Sequence, residues 1–336
     1  MYKRQAYAYS YYPPSSITYD GYSYSSGLYS SALLGAGEGI VRVGHRLAFL
    51  ELEPTETDGR VRRWMHVVDL ADPAAPAHGE PLDLGESLGA MPLHVMNGVV
   101  MTSRWMVSPV DAAKVRFYAD RVDLAGPEPK VLSAISTPGS LLHVDGASSR
   151  IVTSDYTTKQ ADALNSHQCY EALGGRAVFD WQTNRCVLVD RNLKLSDVAG
   201  ATVKVRHVLE LPERYLSGVE VAEDRIYLTS GATLYGPYPL EASHPGALLA
   251  IGGIRAGALS IVSELAGDAR WPLASSGTKV ALYTARGIDV YDTSTPVATL
   301  VASAQLRGAG YSSDVIMSST TAFAALGEFG LQTLRY

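Results

Sequence analysis

Short apolar runs, each bounded by turn residues, recur along most of the chain. Residues 219–229, "VEVAEDRIYLT", show the pattern clearly, with two apolar runs joined by a short acidic turn. Runs of about four to eight residues rich in Val, Ile, Leu and Tyr are typical of β-strands. Similar hairpins occupy residues 40–52, 93–103, 141–156, 272–284 and 314–326. The pattern therefore predicts an all-β protein built from repeated hairpins.

A third strand with a polar turn follows most of these hairpins. Examples are "MHVVDLADPAAP" (65–76) and "GIDVYDTSTP" (287–296), and a fourth strand comes after the turn. Turns of this kind end a strand because proline cannot donate to the ladder. A four-stranded unit repeated every roughly 40 to 65 residues is typical of the blades of a β-propeller, each of which buries its faces against its neighbours. A pair of β-sandwiches is the alternative, and the repeated Asp-containing turn favours the propeller.

The pattern predicts six blades. They span residues 39–84, 92–136, 140–211, 217–265, 271–306 and 312–336, and the last lacks a fourth strand. In closed propellers the two ends of the chain often share one blade. Residues 6–35, which are rich in Tyr, are therefore interpreted either as a closing strand with a loop or as the remnant of a lost blade.

The first five residues, "MYKRQ", are similar to a translated piece of a sequencing-library adapter. On this interpretation the native chain enters at about Ala6 from within a longer protein, and a missing signal peptide is no evidence for the cytosol. The alternative is a native basic N-terminus. The expected organisation is a non-native tag at 1–5, a Tyr-rich segment at 6–35, and a β-propeller domain at 36–336 with an insertion at 157–183.

Composition excludes two classes of partner. The 336 residues carry a net charge of −6, and only 18% of them are charged. Lys and Arg are scattered without a basic stripe, so nucleic acid is not an expected partner. The most apolar window, Gly246–Val262, is interrupted by Arg255 and falls short of the roughly 20 apolar residues that a spanning helix needs. No transmembrane segment is expected, and the protein is expected to be a monomer.

Two third-strand segments, "VVDLADPAAP" (67–76) and "IDVYDTSTP" (288–296), resemble the LVIVD-type repeats of bacterial secreted β-propellers. The resemblance extends over most of residues 36–336, although each copy is degenerate. It implies a propeller fold in a bacterial protein located outside the cell or in its envelope. That group has no single catalytic apparatus, so no catalytic residue is carried over to this chain.

Blade length varies mainly between the second and third strands. In a propeller these connections emerge on one face, and function usually resides in loops held by a rigid scaffold. Tolerated surface insertion is the alternative. Trp and Tyr are frequent anchors of binding surfaces, so the aromatic residues of this loop face are candidate ligand-binding residues. They are Trp105, Tyr170, Trp181, Tyr235 and Tyr238.

The longest of these connections, Thr157–Thr183, contains Cys169 and ends shortly before Cys186, and these are the only two cysteines of the chain. Cys169 and Cys186 are predicted to form a disulfide, which would stabilise the fold by about 3 kcal/mol through loop-closure entropy. A pair of buried free thiols is the alternative. Apolar positions over 161–173, followed by two glycines, indicate a short helix.

Polar residues recur at matching positions of four predicted first strands, which line the central channel of a propeller. They are Arg42, His94, His143 and Glu220, and Asp314 lies within one position of the same place. Two imidazoles and a carboxylate could hold a divalent metal, which predicts a channel site formed by His94, His143 and Glu220. The alternative is that these groups are only solvated.

Two classes of function follow. The first is a non-catalytic extracellular or cell-envelope propeller that binds a protein or glycan through its loop-rich face and needs no cofactor. The alternative is a metal-dependent propeller hydrolase or lactonase that uses a channel metal. We favour the first class, and no catalytic residue is assigned.

Overall fold

The computed structural model describes residues 17–19, 22–24, 39–55, 60–87, 92–107, 115–161, 168–169, 177–180, 185–212, 216–230, 246–267, 271–284, 287–306, 314–326 and 330–336. Nearly all of them lie in antiparallel β-sheets, so the predicted all-β class is confirmed. Of the predicted helix, only Gln168 and Cys169 are described, in helical conformation. Within the described part of the chain, no helix has the length and apolarity to cross a membrane.

Six sheets follow one another along the chain and are numbered here as blades 1 to 6. Before them, β1 (Ile17–Tyr19) and β2 (Tyr22–Tyr24) form a separate two-stranded sheet. Blade 1 contains β3 (Ile40–Val43), β4 (Arg46–Pro54), β5 (Val61–Asp69), β6 (Ala77–His78) and β7 (Leu82–Ser87). Blade 2 contains β8 (Leu93–Met96), β9 (Val99–Val107), β10 (Val115–Asp123) and β11 (Lys130–Thr137).

Blade 3 is the longest sheet. It contains β12 (Ser140–Asp145), β13 (Arg150–Gln160), β14 (Ala177–Asp180), β15 (Arg185–Ala199) and β16 (Thr202–Leu211). Blade 4 contains β17 (Leu216–Ala222), β18 (Arg225–Ser230), β19 (Gly246–Gly252) and β20 (Ser260–Gly267). Blade 5 contains β21 (Trp271–Ser276), β22 (Lys279–Thr284), β23 (Gly287–Asp292) and β24 (Thr299–Ala304). Blade 6 contains β25 (Asp314–Met317), β26 (Thr321–Ala325) and β27 (Leu331–Arg335).

The observed blades match the predicted ones closely, and blade 6 has three strands in its described part. The order of strands within a blade follows the chain because tight turns join neighbours. Asn97 and Gly98, for example, both have positive φ, at 52° and 83°, as a two-residue hairpin turn with right-handed twist requires. The remainder of the Tyr-rich segment lies outside the described residues, so a closing strand there stays a prediction.

The chain divides into two compact units. The first comprises Met1–Thr158 with Asn192–Val208, and the second Lys159–Arg191 with Leu209–Tyr336. The first therefore holds blades 1 and 2 and most of blade 3. The second holds blades 4 to 6 and a segment of blade 3, Lys159–Arg191, which we call the blade 3 arm.

Each unit is held together by apolar faces of adjacent blades. In the first unit, Met65 of blade 1 packs in one core cluster with Leu93 and Val100 of blade 2. In the second unit, Leu248 of blade 4 shares a cluster with Val280 and Leu282 of blade 5. Two further clusters of the same kind join blade 2 to blade 3 and blade 5 to blade 6. Within each unit, adjacent blades therefore bury their facing sheets against each other, as the sequence pattern predicts.

The first strands of neighbouring blades contact each other. In the first unit β8 contacts both β3 and β12, and in the second unit β21 contacts both β17 and β25. The first strands that carry His94 and Glu220 are therefore the innermost strands of their blades. Polar side chains on these strands are therefore candidate site residues.

Candidate functional site

His94 is the second residue of β8 and is only 8% exposed. Its Nε2 has no hydrogen-bond partner. Burial, with a smaller contribution from electrostatic repulsion by His143, lowers the pKa of the His94 imidazole to about 3. His94 is therefore neutral at physiological pH, with a ring nitrogen directed into the protein.

His143 lies on β12 and is partly buried. Its electrostatic effect on His94 shows that the first unit brings these two predicted site residues together. Arg42 does not join them, because its exposed side chain donates from Nε to the carbonyl of Gly44 in its own turn, at 2.8 Å. Among the described residues, no group of three or more His, Cys, Asp and Glu side chains is placed to hold a metal ion. Glu220 belongs to the second unit, so the three-ligand site of His94, His143 and Glu220 stays a prediction.

Glu220 lies on β17 in the second unit, where it accepts a hydrogen bond from Ser275 Oγ on β21 at 3.1 Å. Burial raises the pKa of the Glu220 carboxyl to about 7, against the hydrogen bonds from Ser275 and from the Val221 N–H, which lower it. The contact links the innermost strands of blades 4 and 5. Asp314 begins β25, and its side chain lies outside the described residues.

The raised pKa of Glu220 predicts a pH-dependent stability. A carboxyl group whose pKa is higher in the folded state than its ordinary value of about 4.3 favours folding below that value, and the contribution is lost as the pH rises toward 7. We expect the free energy of unfolding to fall by up to about 2 kcal/mol over this range, since partial exposure reduces the effect. Urea denaturation at a series of pH values measures it. Glu220→Gln should remove the decline, and an identical decline in this variant would contradict the assignment.

Each blade has two edges, and they differ. The turn edge carries the connections from first to second and from third to fourth strand, and the loop edge carries those from second to third strand. At the loop edge of blade 3, β14 pairs with the start of β15, from Ala177↔Leu188 to Asp180↔Arg185. The blade 3 arm thus extends the sheet beyond the usual end of a blade.

A disulfide braces this arm. Cys169 and Cys186 are bonded, with Cα atoms 5.6 Å apart, and both side chains are buried. The predicted disulfide is confirmed. The N–H of Ala161 donates to the carbonyl of Cys186 at 2.9 Å, and Lys159 forms an ion pair with Asp190 at the base of the arm.

Of the five predicted aromatic anchors, Trp105 alone is among the described residues. Trp105 is only 5% exposed and lies on β9 opposite Phe117 of β10, so the prediction that it is an exposed anchor of the loop face is wrong. The reason is that β9 continues to Val107, and strand alternation places Trp105 on the same face as Met101, which packs against blade 3. The other four anchors lie outside the described residues: Tyr170, Trp181, Tyr235 and Tyr238.

Sequence reasoning missed a buried ion cluster between blades 1 and 2. Asp120 of β10 accepts from Arg63 Nη2 of β5 at 2.6 Å and from Arg104 Nε of β9 at 2.8 Å. Arg63 is fully buried, and it also donates to the carbonyl of Leu84. The available signal was the inward register of Arg63, which alternates with Val61 and Met65 along β5.

A second missed feature is an arginine at the start of the second strand. Arg46 begins β4 and donates to the carbonyl groups of Leu124, Gly126 and Pro127 in the turn of blade 2. Arg225 begins β18 and likewise donates to the carbonyl of Thr293 in the turn of blade 5, at 2.6 Å. Each arginine fastens the turn edge of its blade to that of the next. The recurring Arg or Lys after the first hairpin turn was the sequence signal.

No family model matches the chain, and no curated protein matches it. Solved structures do. The acylaminoacyl peptidase of Pyrococcus horikoshii matches at a TM-score of 0.50 and 9% identity, over 91% of this chain and 45% of that chain. The β-propeller domain of the Trilobed protease from Pyrococcus furiosus matches at a TM-score of 0.46 and 11% identity, over 91% of this chain and 82% of that chain.

The Neurospora crassa Pan2 WD40 domain matches at a TM-score of 0.45 and 11% identity, over 88% of this chain and 74% of that chain. The six successive antiparallel sheets, which pack face to face with their neighbours within each unit, decide the fold. The chain is a β-propeller. At such low identities the comparison shows the fold alone, and the propeller spans less than half of the length of the peptidase that it matches.

Proposed function

We propose that this propeller is a non-catalytic binding domain that holds a protein partner at the blade 3 arm. The observation that carries the proposal is the bracing of the arm by the disulfide between Cys169 and Cys186. An insertion that is only tolerated needs no covalent brace. A binding segment gains from one, because a pre-ordered surface loses less conformational entropy when the partner binds.

The strand β14 supports a polypeptide as the partner. In the described part of the chain this strand pairs with β15 alone, so it is an edge strand of the blade 3 sheet. An edge strand presents backbone N–H and C=O groups that another polypeptide strand can extend. A protein or peptide in extended conformation fits such an edge, whereas a glycan does not complete a β-ladder.

The disulfide also supports the cellular setting that we propose. Disulfides persist in oxidising environments, namely outside the cell and in the bacterial periplasm, and are rare in the cytosol. This supports our proposal that the propeller acts as a monomeric scaffold in the extracellular space or the cell envelope.

A selection from a phage-displayed random peptide library tests the proposal, with a glycan array as the competing probe. We expect enrichment of extended, apolar peptides. Replacement by alanine of one or more of Tyr170, Trp181, Tyr235 and Tyr238 should lower the affinity for the selected peptide by about tenfold or more, as it does at hot-spot residues. The matched control is Glu128→Ala on the exposed turn edge of blade 2, which should leave the affinity unchanged.

Unchanged affinity in all four variants would place binding outside the loop edge. Binding on the glycan array without any selected peptide would overturn the protein class. Reduction of the disulfide alone should lower the affinity for the peptide, because the arm then loses its covalent brace.

A further inference from the structure

Three polar side chains converge on one face of blade 1, opposite the face that packs against blade 2. Glu51 lies on β4, His66 on β5 and His78 on β6. The register pairs Phe49 with His66 and Val68 with His78, so alternation places all three polar side chains on one face. Met65, next to His66, points the opposite way into the core shared with blade 2.

The contacts between these side chains are direct. His66 Nε2 lies 2.5 Å from Glu51 Oε2, and His66 Nδ1 lies 3.1 Å from His78 Nε2. The ring of Phe49 stacks on that of His66, with centroids 5.1 Å apart. The histidine ring is therefore fixed on one side by an aromatic neighbour and at one nitrogen by a carboxylate.

The hydrogen-bond pattern assigns the tautomer of His66. A carboxylate only accepts, so Nε2 of His66 carries the hydrogen and donates it to Glu51. In the neutral ring Nδ1 then carries a lone pair, and this lone pair faces His78. A histidine that donates its other N–H to a carboxylate is the usual arrangement of a metal ligand.

We propose that His66 Nδ1 and His78 Nε2 bind one divalent transition-metal ion, with Glu51 orienting His66. Two metal–nitrogen bonds of about 2.0–2.1 Å that meet at a near-tetrahedral angle separate their nitrogens by roughly 3.3–3.4 Å, so a small movement of the exposed His78 from the 3.1 Å found here suffices. When the ion binds, the proton on His78 Nε2 moves to its Nδ1, so the charge of the ring is unchanged. His78 is exposed, which leaves a path for the ion.

The donor set determines which ions bind. The described residues supply two imidazole nitrogens, and we propose that water completes the coordination of the ion. Imidazole nitrogens favour Cu²⁺, Ni²⁺ and Zn²⁺ over Mg²⁺ and Ca²⁺, and Cu²⁺ binds most tightly in this series. The site uses blade 1 alone and does not depend on the proposed role of the blade 3 arm.

Isothermal titration calorimetry with CuCl₂, NiCl₂, ZnCl₂ and MgCl₂ tests the proposal, on protein without a polyhistidine tag. We expect one Cu²⁺ per chain, weaker Ni²⁺ and Zn²⁺ binding, and none for Mg²⁺. His66→Gln and His78→Gln should each abolish that binding, and Glu51→Gln should weaken it by roughly 10- to 100-fold, as loss of an orienting carboxylate does. His207→Gln on blade 3 is the matched control and should bind as the wild type does. Electron paramagnetic resonance of the Cu²⁺ form should show two coupled imidazole nitrogens.

Retention of the ion in either histidine variant would overturn the proposal, as would absence of binding in the wild type. His78 lies at the surface, so His78→Gln is the variant least able to disturb the fold, and thermal unfolding of each variant confirms that the blades are intact. Equal affinity in Glu51→Gln and the wild type would refute the orienting role of Glu51.

Discussion

Replacement of Asp120 by alanine is expected to lower the free energy of unfolding by about 3–5 kcal/mol. Asp120 is 6% exposed and is the shared carboxylate of Arg63 and Arg104. Burial lowers the pKa of Arg63 in spite of this partner, which shows how unfavourable the site is for a lone guanidinium charge. Without Asp120, the fully buried Arg63 would keep its charge with no counterion. Urea denaturation followed by circular dichroism measures the loss.

Two variants separate this effect from the loss of any ion pair. Asp83→Ala removes the partner of Arg62 on the exposed face of the same blade, and it should change stability little because solvent screens that pair. The double variant Arg63→Met with Asp120→Leu should recover most of the loss, since apolar residues of similar volume often replace a buried ion pair without cost. If Asp120→Ala were no more destabilising than Asp83→Ala, the cluster would not stabilise the contact of blades 1 and 2.

Removal of the disulfide is expected to cost about 3 kcal/mol. Cys169 and Cys186 are separated by 17 residues in sequence. Closing a loop of that size restricts the unfolded chain and raises its free energy by about this amount. The double variant Cys169→Ala with Cys186→Ala should therefore unfold at a lower urea concentration than the oxidised protein. The wild type under reducing conditions is the control and should behave like the variant. Equal stability of oxidised and reduced protein would mean that the bond does not constrain the unfolded chain.

The sequence by itself determined the blades. Strand periodicity and turn chemistry are local properties, so residues such as Asn97 and Gly98 mark a hairpin wherever it lies in the fold. The predicted blade 4, 217–265, differs from the observed strands Leu216–Gly267 by one or two residues at each end. The pairing of the two cysteines was also within reach, because the chain has no others.

Only the tertiary structure decided which polar groups meet. Alternation along β5 gives Arg63 and His66 opposite faces, but it does not say that Asp120, 57 residues away, lies against the first. Trp105 became a core residue because β9 continues past the predicted strand end, and strand ends depend on what the neighbouring strand pairs with. Glu220 and His94 share a position in the repeat, yet one meets a serine of the next blade and the other a second histidine. A repeat fixes the position of a side chain within its blade, whereas its partners, and hence its chemistry, come from the neighbouring blade that packs against it.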